Sequence, residues 1–237
     1  MKVKDFNDVV EWAYKLYSKR GYNLNPLEDF NEFEKLVLAF EMVGRKKAEL
    51  VIKEIFNTFG AEVNVTYTST RMPYDINVGT FKYDEDNGVE LTAARGEVKN
   101  RMKGYSLEAL NGKKGVFIEP HKVKNTDVFI NFTFDNMALI WPISKLHQVD
   151  EDGNTRAYNI PKTEMDPNSE RQQTIRYFFY IDEAITMRVP GHEEWDRIND
   201  ILNEAKERID SEREQIVKDK YLELENTFAI KVEQKTS

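Results

Sequence analysis

The chain contains no cysteine and only three histidines, and these shortages exclude several kinds of site. Without cysteine there is neither a disulfide framework nor cysteine-ligated zinc. His121, His147 and His192 are too few and too far apart in the sequence for a recognisable histidine-based zinc site. The composition therefore argues against the common zinc centres.

Long apolar runs are also missing. No uninterrupted run approaches the ~20 residues that a membrane-spanning helix needs, and no apolar leader segment begins the chain. We therefore expect a cytoplasmic protein without a membrane partner. A glycine-rich phosphate loop, a serine-centred elbow and a dinucleotide-binding fingerprint are absent as well, so nothing in the sequence supports ATP use.

What is present fits one central domain with additions, because 237 residues with 40% hydrophobic residues suffice for a sizeable core. We divide the chain into an N-terminal helical element (1–30), a core (31–149) and a C-terminal part (150–237). The C-terminal part comprises a loop rich in Asp, Asn and Pro, an aromatic strand and a long helix.

The charge is unevenly distributed along the chain. The whole chain has a formal net charge of -8, from 34 basic and 42 acidic residues. Between Arg95 and Lys124, however, eight basic residues face three acidic ones, and from Asp150 to the end 13 face 21. A local surplus of positive charge is what a phosphate-binding surface requires.

Apolar residues at helical spacing predict helices over 3–20, from about Pro26 to Glu41, and from Arg45 to Phe59, with Gly60 as a stop signal. The period then changes to that of strands. We predict strands at Val63–Tyr67, Tyr74–Val78, Glu97–Val98, Val116–Ile118, Val128–Phe134 and Ala138–Ile140. The stretch Gly79–Gly96 is predicted to form a hairpin extension, because its Asn87-Gly88 pair favours a tight turn.

Two features of the C-terminal part have alternative interpretations. The aromatic run Tyr177–Tyr180, in an extended segment from Arg176 to Ile181, is typical of core but also suits a stacking platform for bases. The helix predicted from Glu193 to about Glu225 carries Leu202, Ile209 and Ile216 seven residues apart. That spacing suits packing on its own domain, and a homodimer through the C-terminal helix is the alternative.

The feature most indicative of function is the tripeptide Glu97-Val98-Lys99, which follows Asp75 by 22 positions. Side chains alternate along a strand, so Glu97 and Lys99 should lie on one face. Carboxylate oxygens are ligands that Mg²⁺ prefers, and the ion can activate water and neutralise a phosphate. We expect Asp75, Glu97 and the Val98 carbonyl to bind the metal and Lys99 to hold the nucleophile or stabilise developing charge.

These residues resemble the motifs of the PD-(D/E)xK nuclease superfamily. Pro73-Tyr74-Asp75 is similar to the first motif and Glu97-Val98-Lys99 to the second, and the resemblance covers about Arg45 to Ile143. It implies an α/β (α+β) fold, with a restriction-endonuclease-like mixed central sheet flanked by helices. It also implies Mg²⁺-dependent cleavage, with Mn²⁺ as a substitute. Members often carry an acidic residue on the helix before the first strand, which implies a catalytic role for Glu49.

The sequence therefore predicts a Mg²⁺-dependent deoxyribonuclease, an endonuclease with DNA as its partner. The alternative is a catalytically inactive nuclease-fold protein that binds nucleic acid or inhibits another protein. A purely structural module is a further rival. The residues predicted to contact nucleic acid are Arg95, Arg101, Lys103, Lys113, Lys114, His121, Lys122 and Lys124.

Overall fold

The residues that the structure describes form two sheets and four helices. The computed structural model describes residues 3–18, 25–68, 74–84, 88–105, 107–110, 112–142, 157–160 and 174–233. Its helices are α1 (Phe6–Ser18), α2 (Glu32–Thr58), α3 (Pro120–Asn125) and α4 (His192–Glu233), with 3-10 turns at Leu27–Asp29 and Ile181–Glu183. Its strands are β1 (Asn64–Tyr67), β2 (Ile76–Asp84), β3 (Gly88–Asn100), β4 (Glu108–Leu110), β5 (Lys113–Ile118), β6 (Val128–Phe132), β7 (Met137–Pro142), β8 (Ala157–Ile160), β9 (Thr174–Tyr180) and β10 (Ile185–Arg188).

The larger sheet has six strands in the order β1-β2-β3-β6-β7-β10. β3 and β6 run parallel, and the other neighbours run antiparallel. The smaller sheet has the order β4-β5-β9-β8 and is antiparallel throughout. The predicted mixed sheet with helices is confirmed, and so is the long hairpin, which pairs β2 with β3 from Ile76↔Gly96 to Asp84↔Gly88.

The two faces of the larger sheet pack against different layers. Along β6 and β7, Ile130 and Phe132 contribute to the core with α1, α2 and α4. Their neighbours Phe129, Leu139 and Trp141 belong to a second core with residues of β5 and β9. Because side chains alternate along a strand, β6 and β7 are buried on both faces and lack a solvent-exposed side.

Helix α2 is continuous, whereas the sequence predicts two helices interrupted near Gly44. The predicted break is wrong, since the helix runs unbroken through Gly44. The glycine is the point where α2 and β3 approach each other closely. A Cβ atom at Gly44 would lie 3.0 Å from the Cβ of Asn100 and 3.5 Å from Cγ1 of Val98. A glycine inside a helix lowers its intrinsic stability, but here it allows β3 to pass directly under α2.

The C-terminal part contributes strands to both sheets. β10 pairs with β7 and β9 pairs with β5, although both lie beyond the division predicted near residue 150. Phe178, Phe179 and Tyr180 of β9 are buried, so the aromatic run is core and not a stacking platform. Helix α4 packs on the central core as far as Ile209, and residues 211–220 are exposed. The homodimer stays a prediction.

None of the described helices is both long and apolar enough to span a bilayer.

A buried lysine joins α2 to α4. The side chain of Lys47 is enclosed, and its Nζ donates to Oδ1 of Asn199 at 2.8 Å and to Oδ1 of Asn100 at 3.1 Å. Asn199 also donates to Oδ1 of Asn136 at 3.1 Å, and Asn136 donates to Asp196 at 2.7 Å. Burial lowers the pKa of Lys47 to about 7, with the charge of Asp196 acting in the opposite direction. A neutral amine accepts this buried position more readily than an ammonium ion.

We predict that this lysine makes stability depend on pH. Between pH 7 and about 10, the unfolded chain keeps the Lys47 proton that the folded chain has lost, so the wild type should gain stability as pH rises, by up to about 1.4 kcal/mol per pH unit. Lys47→Met removes this contribution. Urea denaturation at several pH values should show that the free energy of unfolding of the wild type rises relative to that of the variant over that range. A difference independent of pH would contradict the lowered pKa.

Candidate functional site

Asp75 lies directly before β2, where its main chain joins β1 to β3. Its N–H donates to the carbonyl of Gly96 at 2.9 Å, and its carbonyl accepts from the N–H of Thr68 at 2.9 Å. The carboxylate Oδ2 accepts from the N–H of Val98 at 2.8 Å. The hairpin between β2 and β3 therefore places the Asp75 carboxylate against the middle residue of the Glu97-Val98-Lys99 motif.

A buried arginine supplies the counter-charge of Asp75. Arg45 on α2 donates from Nη2 to Oδ1 of Asp75 at 3.2 Å and from Nη1 to the carbonyl of Thr68 at 3.1 Å. Glu41, one helical turn earlier, is 3.8 Å from the same guanidinium. Burial opposes the charge of Arg45, but Asp75 and Glu41 outweigh it and raise its pKa. Arg45 is a site residue that the sequence did not predict.

Glu97 is a buried carboxylate shared by two lysines. Its side chain is 3% exposed, and its Oε1 is 2.7 Å from Nζ of Lys99. The same oxygen accepts a hydrogen bond from Nζ of Lys122 on α3. In the register with β6, Glu97 lies opposite Phe129 and Lys99 opposite Asn131. The predicted placement of Glu97 and Lys99 on one face is confirmed.

The two lysines differ in how firmly they hold their protons. Burial lowers the pKa of Lys99, since the attraction of Glu97 is opposed by the like charge of Lys122. Burial acts on Lys122 in the same direction, but Glu97 outweighs it, with a contribution from Asp75, and the pKa of Lys122 is raised. One carboxylate compensates one ammonium ion well and a second poorly. Lys122 is therefore the firmer counter-ion of Glu97, and Lys99 is the lysine that loses its proton first.

A cavity of about 170 Å³ opens beside Asp75 and Lys99, and Glu97 is not among the residues that line it. Glu41 and Arg45 line it from α2, and Asp75, Val98 and Lys99 line it from the sheet. Burial and the charge of Asp75 raise the pKa of Glu41, although Arg45 opposes them. The sequence signal for Glu41 was its spacing of four residues from Arg45, which a continuous helix places on one face. The predicted helix break at Gly44 concealed it.

The structure does not bring Glu49 to this cavity. Glu49 lies eight residues beyond Glu41 on α2, which is about 12 Å along the helix axis. It accepts from Lys53 at 2.8 Å, from Lys46 at 3.0 Å and from the hydroxyl of Tyr67. Burial opposes its ionisation, but these three donors lower its pKa to about 2. Its place is in a structural ion-pair cluster, and Glu41 is the acidic residue of this helix that lines the cavity.

The residues predicted to contact nucleic acid whose side chains the structure describes lie in or just after β3, in β5 and in α3. Arg101 lies close to the site, since its Nε donates at 2.8 Å to Asn131, the register partner of Lys99. Its guanidinium also lies 4.0 Å from the centre of the Tyr105 ring. Lys122, as shown above, contacts Glu97. These two basic residues are close to the motif.

The other predicted contacts lie elsewhere. Arg95 forms an ion pair with Asp127 at 3.1 Å, and Lys103 is exposed beyond the end of β3. Lys113 and Lys114 belong to β5 in the smaller sheet, with Nζ of Lys113 5.2 Å from the centre of the Tyr180 ring. The side chains of His121 and Lys124 lie outside the described part of the structure.

The donor set at the site suits magnesium by its chemistry. Asp75 and Glu97 offer hard oxygen atoms, and two carboxylates are sufficient for an ion that keeps several of its waters. Among the residues that the structure describes, no group of three or more His, Asp or Glu side chains is arranged to hold a metal. Both carboxylates are also engaged by cations of the protein. Mg²⁺ would therefore have to compete with Arg45 for Asp75 and with the two lysines for Glu97.

Comparisons with protein-family models, with curated proteins and with solved structures each find no match to this chain.

We predict that Glu97 depends on having at least one lysine partner. Lys99→Met and Lys122→Met should each lower the free energy of unfolding only slightly, because the other ammonium group remains beside Glu97. The double variant should lose about 3–5 kcal/mol, since it leaves a buried carboxylate uncompensated. Adding Glu97→Gln should recover much of that loss. Urea unfolding at pH 7 measures all four variants, and strictly additive single losses without recovery would contradict the shared ion pair.

Proposed function

We propose that the chain is a Mg²⁺-dependent deoxyribonuclease that cleaves phosphodiester bonds within DNA at the cavity beside Asp75, Glu97 and Lys99. The observation that supports this most is the hydrogen bond from the Val98 N–H to the Asp75 carboxylate. It joins two parts of the chain that the resemblance to PD-(D/E)xK nucleases pairs. The mixed sheet flanked by helices agrees with a restriction-endonuclease-like core, which we include in the proposal.

The roles of the residues follow from their environments. Asp75, Glu97 and the Val98 carbonyl would hold Mg²⁺, or Mn²⁺ in its place. When bound, the ion supplies a Lewis acid that neutralises phosphate charge and lowers the pKa of water. Lys99 is partly exposed, and its lowered pKa suits it to take a proton from an attacking water or to donate to the phosphate. Glu41 holds a proton more readily than an ordinary glutamate and provides a second group for proton transfer at the cavity.

One observation favours a second function, a catalytically inactive nuclease-fold protein that binds nucleic acid. Asp75 and Glu97 are both neutralised by the protein's own side chains, Asp75 by Arg45 and Glu97 by the two lysines. Carboxylates that are neutralised internally do not need a metal for stability. In this second proposal the pairs are permanent, and the basic residues alone contact phosphate.

A cleavage assay tests the first proposal. The purified chain should cut DNA in the presence of Mg²⁺ or Mn²⁺ and not in EDTA. Asp75→Asn, Glu97→Gln and Lys99→Met should each lower the rate by a factor on the order of 10² or more, because the first two remove a metal ligand and the third removes a group that acts on the reacting phosphate or water. Lys99→Arg should not restore full activity, since a planar guanidinium does not replace a point charge.

Glu49→Gln is the matched control, since Glu49 is a buried ion-paired glutamate on α2 that lies away from the cavity. Its turnover should equal that of the wild type once folding is verified. Linear, circular, branched and single-stranded DNA, with RNA alongside, would reveal the preferred substrate. DNA binding without cleavage of any substrate, under either cation, would reject the enzyme and favour the inactive alternative.

A binding experiment tests the charged surface separately. If β5 faces DNA, charge reversal at Lys113 and Lys114 should weaken binding to all sequences and flatten its salt dependence, because each phosphate contact releases close to one counterion. The same change at Lys218 and Lys220, exposed residues of α4, should do little. Filter binding across a salt series measures both pairs. Equal effects would show that β5 is not the DNA-facing surface.

A further inference from the structure

A second and larger cavity, of about 320 Å³, lies between α1 and α2. Tyr17 lines it from α1, Phe30 from the segment before α2, and Phe33, Val37, Leu38 and Glu41 from α2 or its first turns. Glu41 also lines the candidate catalytic cavity. The two cavities are therefore neighbours along one helix, with a shared carboxylate between them.

The lining is apolar and aromatic, and part of it is open. Phe33 is 43% exposed and Val37 41% exposed, although both side chains are apolar. Pockets for small planar ligands combine such apolar walls with a few polar groups. Here the polar groups are the carboxylates of Glu34 and Glu41 and the hydroxyl of Tyr17. An anion such as a phosphate is a poor occupant of this lining, whereas an apolar ring with N–H donors at its edge is a good one.

The helix geometry relates the cavity to the proposed site of cleavage. Phe33, Val37 and Glu41 are spaced four residues apart, so they follow one another along one face of α2 at intervals of about one turn. A phosphate bound near Asp75 and Lys99 would have the rest of its nucleotide beside Glu41. The apolar part of a nucleotide is its base, and the surface of α2 from Glu41 toward Phe33 is apolar. The base would therefore lie on this surface.

We propose that this cavity receives one unpaired nucleobase of the strand that is cleaved, stacked on the ring of Phe33. The inference rests on the proposed nuclease function and adds to it a preference for a nucleotide that is single-stranded or displaced from a duplex. A base held in a duplex stack has both faces covered and must leave the stack to enter such a pocket. Its amino group would donate to a carboxylate, as cytosine does to glutamate in base recognition.

Arg213 on α4 completes the arrangement. Its guanidinium carbon lies 4.5 Å from the centre of the Phe33 ring, so the side chain stacks on that ring. An arginine in this position fixes the ring and brings a positive charge to the rim of an otherwise acidic cavity. A strand whose base enters the cavity would have its backbone phosphate near this charge.

Binding of single-stranded oligonucleotides that carry one 2-aminopurine, placed at each position in turn, tests the proposal. The full-length protein is used in EDTA, so that no cleavage occurs. Stacking of the probe base should quench its fluorescence at one position. Phe33→Ala should abolish that quenching and weaken binding by roughly tenfold, the loss expected for one stacked base. Phe33→Leu, which keeps the apolar bulk without the ring, should have an affinity between those of the wild type and Phe33→Ala.

Two controls make the result specific. Phe59→Ala removes a phenylalanine that is 81% exposed at the other end of α2, and it should behave as the wild type. An oligonucleotide with an abasic residue at the quenched position should bind equally to the wild type and to Phe33→Ala. Equal weakening of Phe33→Ala for the intact and the abasic strands would overturn the proposal, and so would the absence of quenching at every position.

Failure of the inference is distinguishable from failure of the proposed function. Cleavage that requires Mg²⁺ but is unaffected by Phe33→Ala, with no quenching in the binding assay, would overturn the base pocket and leave the nuclease. Quenching that depends on Phe33, with no cleavage under any cation, would support the base pocket in a protein that binds nucleic acid without cutting it.

Discussion

The carboxylate of Asp75 is the contact on which the candidate site depends. One oxygen accepts from the main chain of Val98 in β3, and the other accepts from the buried guanidinium of Arg45 on α2. The strand and the helix on its surface are thereby fixed to one short side chain. Removing that side chain would leave a buried arginine without its closest counter-charge, which is strongly destabilising. Asp75 is a structural residue as well as a candidate metal ligand. The same two carboxylate oxygens would serve both roles.

The charges at the site are balanced within the protein. Glu97 is almost completely buried and holds Lys99 from its own strand and Lys122 from α3. α3 belongs to the connection that leads from β3 to the parallel strand β6, so the crossover both completes the sheet and delivers a cation to the motif. A metal ion entering here would replace existing ion pairs. Its binding free energy would have to exceed that of the ion pairs which it displaces at the two carboxylates.

Helix α4 is coupled to the same region through amide side chains. Lys47 contacts Asn199 of α4 and Asn100 at the end of β3, and Asn100 lines the candidate catalytic cavity. A buried polar network of this kind is favourable only when its members are satisfied together. The same set of hydrogen bonds therefore holds both α4 and the wall of the cavity in position. Residues 211–220 of α4, which are exposed, lie outside that set.

Features that repeat along the chain could be predicted from the sequence. Alternation placed Glu97 and Lys99 on one face, and helical spacing identified most of α2 and the buried half of α4. The contacts between distant segments could not be predicted from the sequence, because they depend on how the helices and strands pack. Helix α2 runs through Gly44, where the missing side chain leaves room for Asn100. Packing places Glu41 and not Glu49 at the cavity. It also brings Arg45 to Asp75 and Lys122 to Glu97 as counter-ions. Periodicity is a property of neighbouring residues, whereas the partner of a buried charge is chosen by packing between segments far apart in sequence.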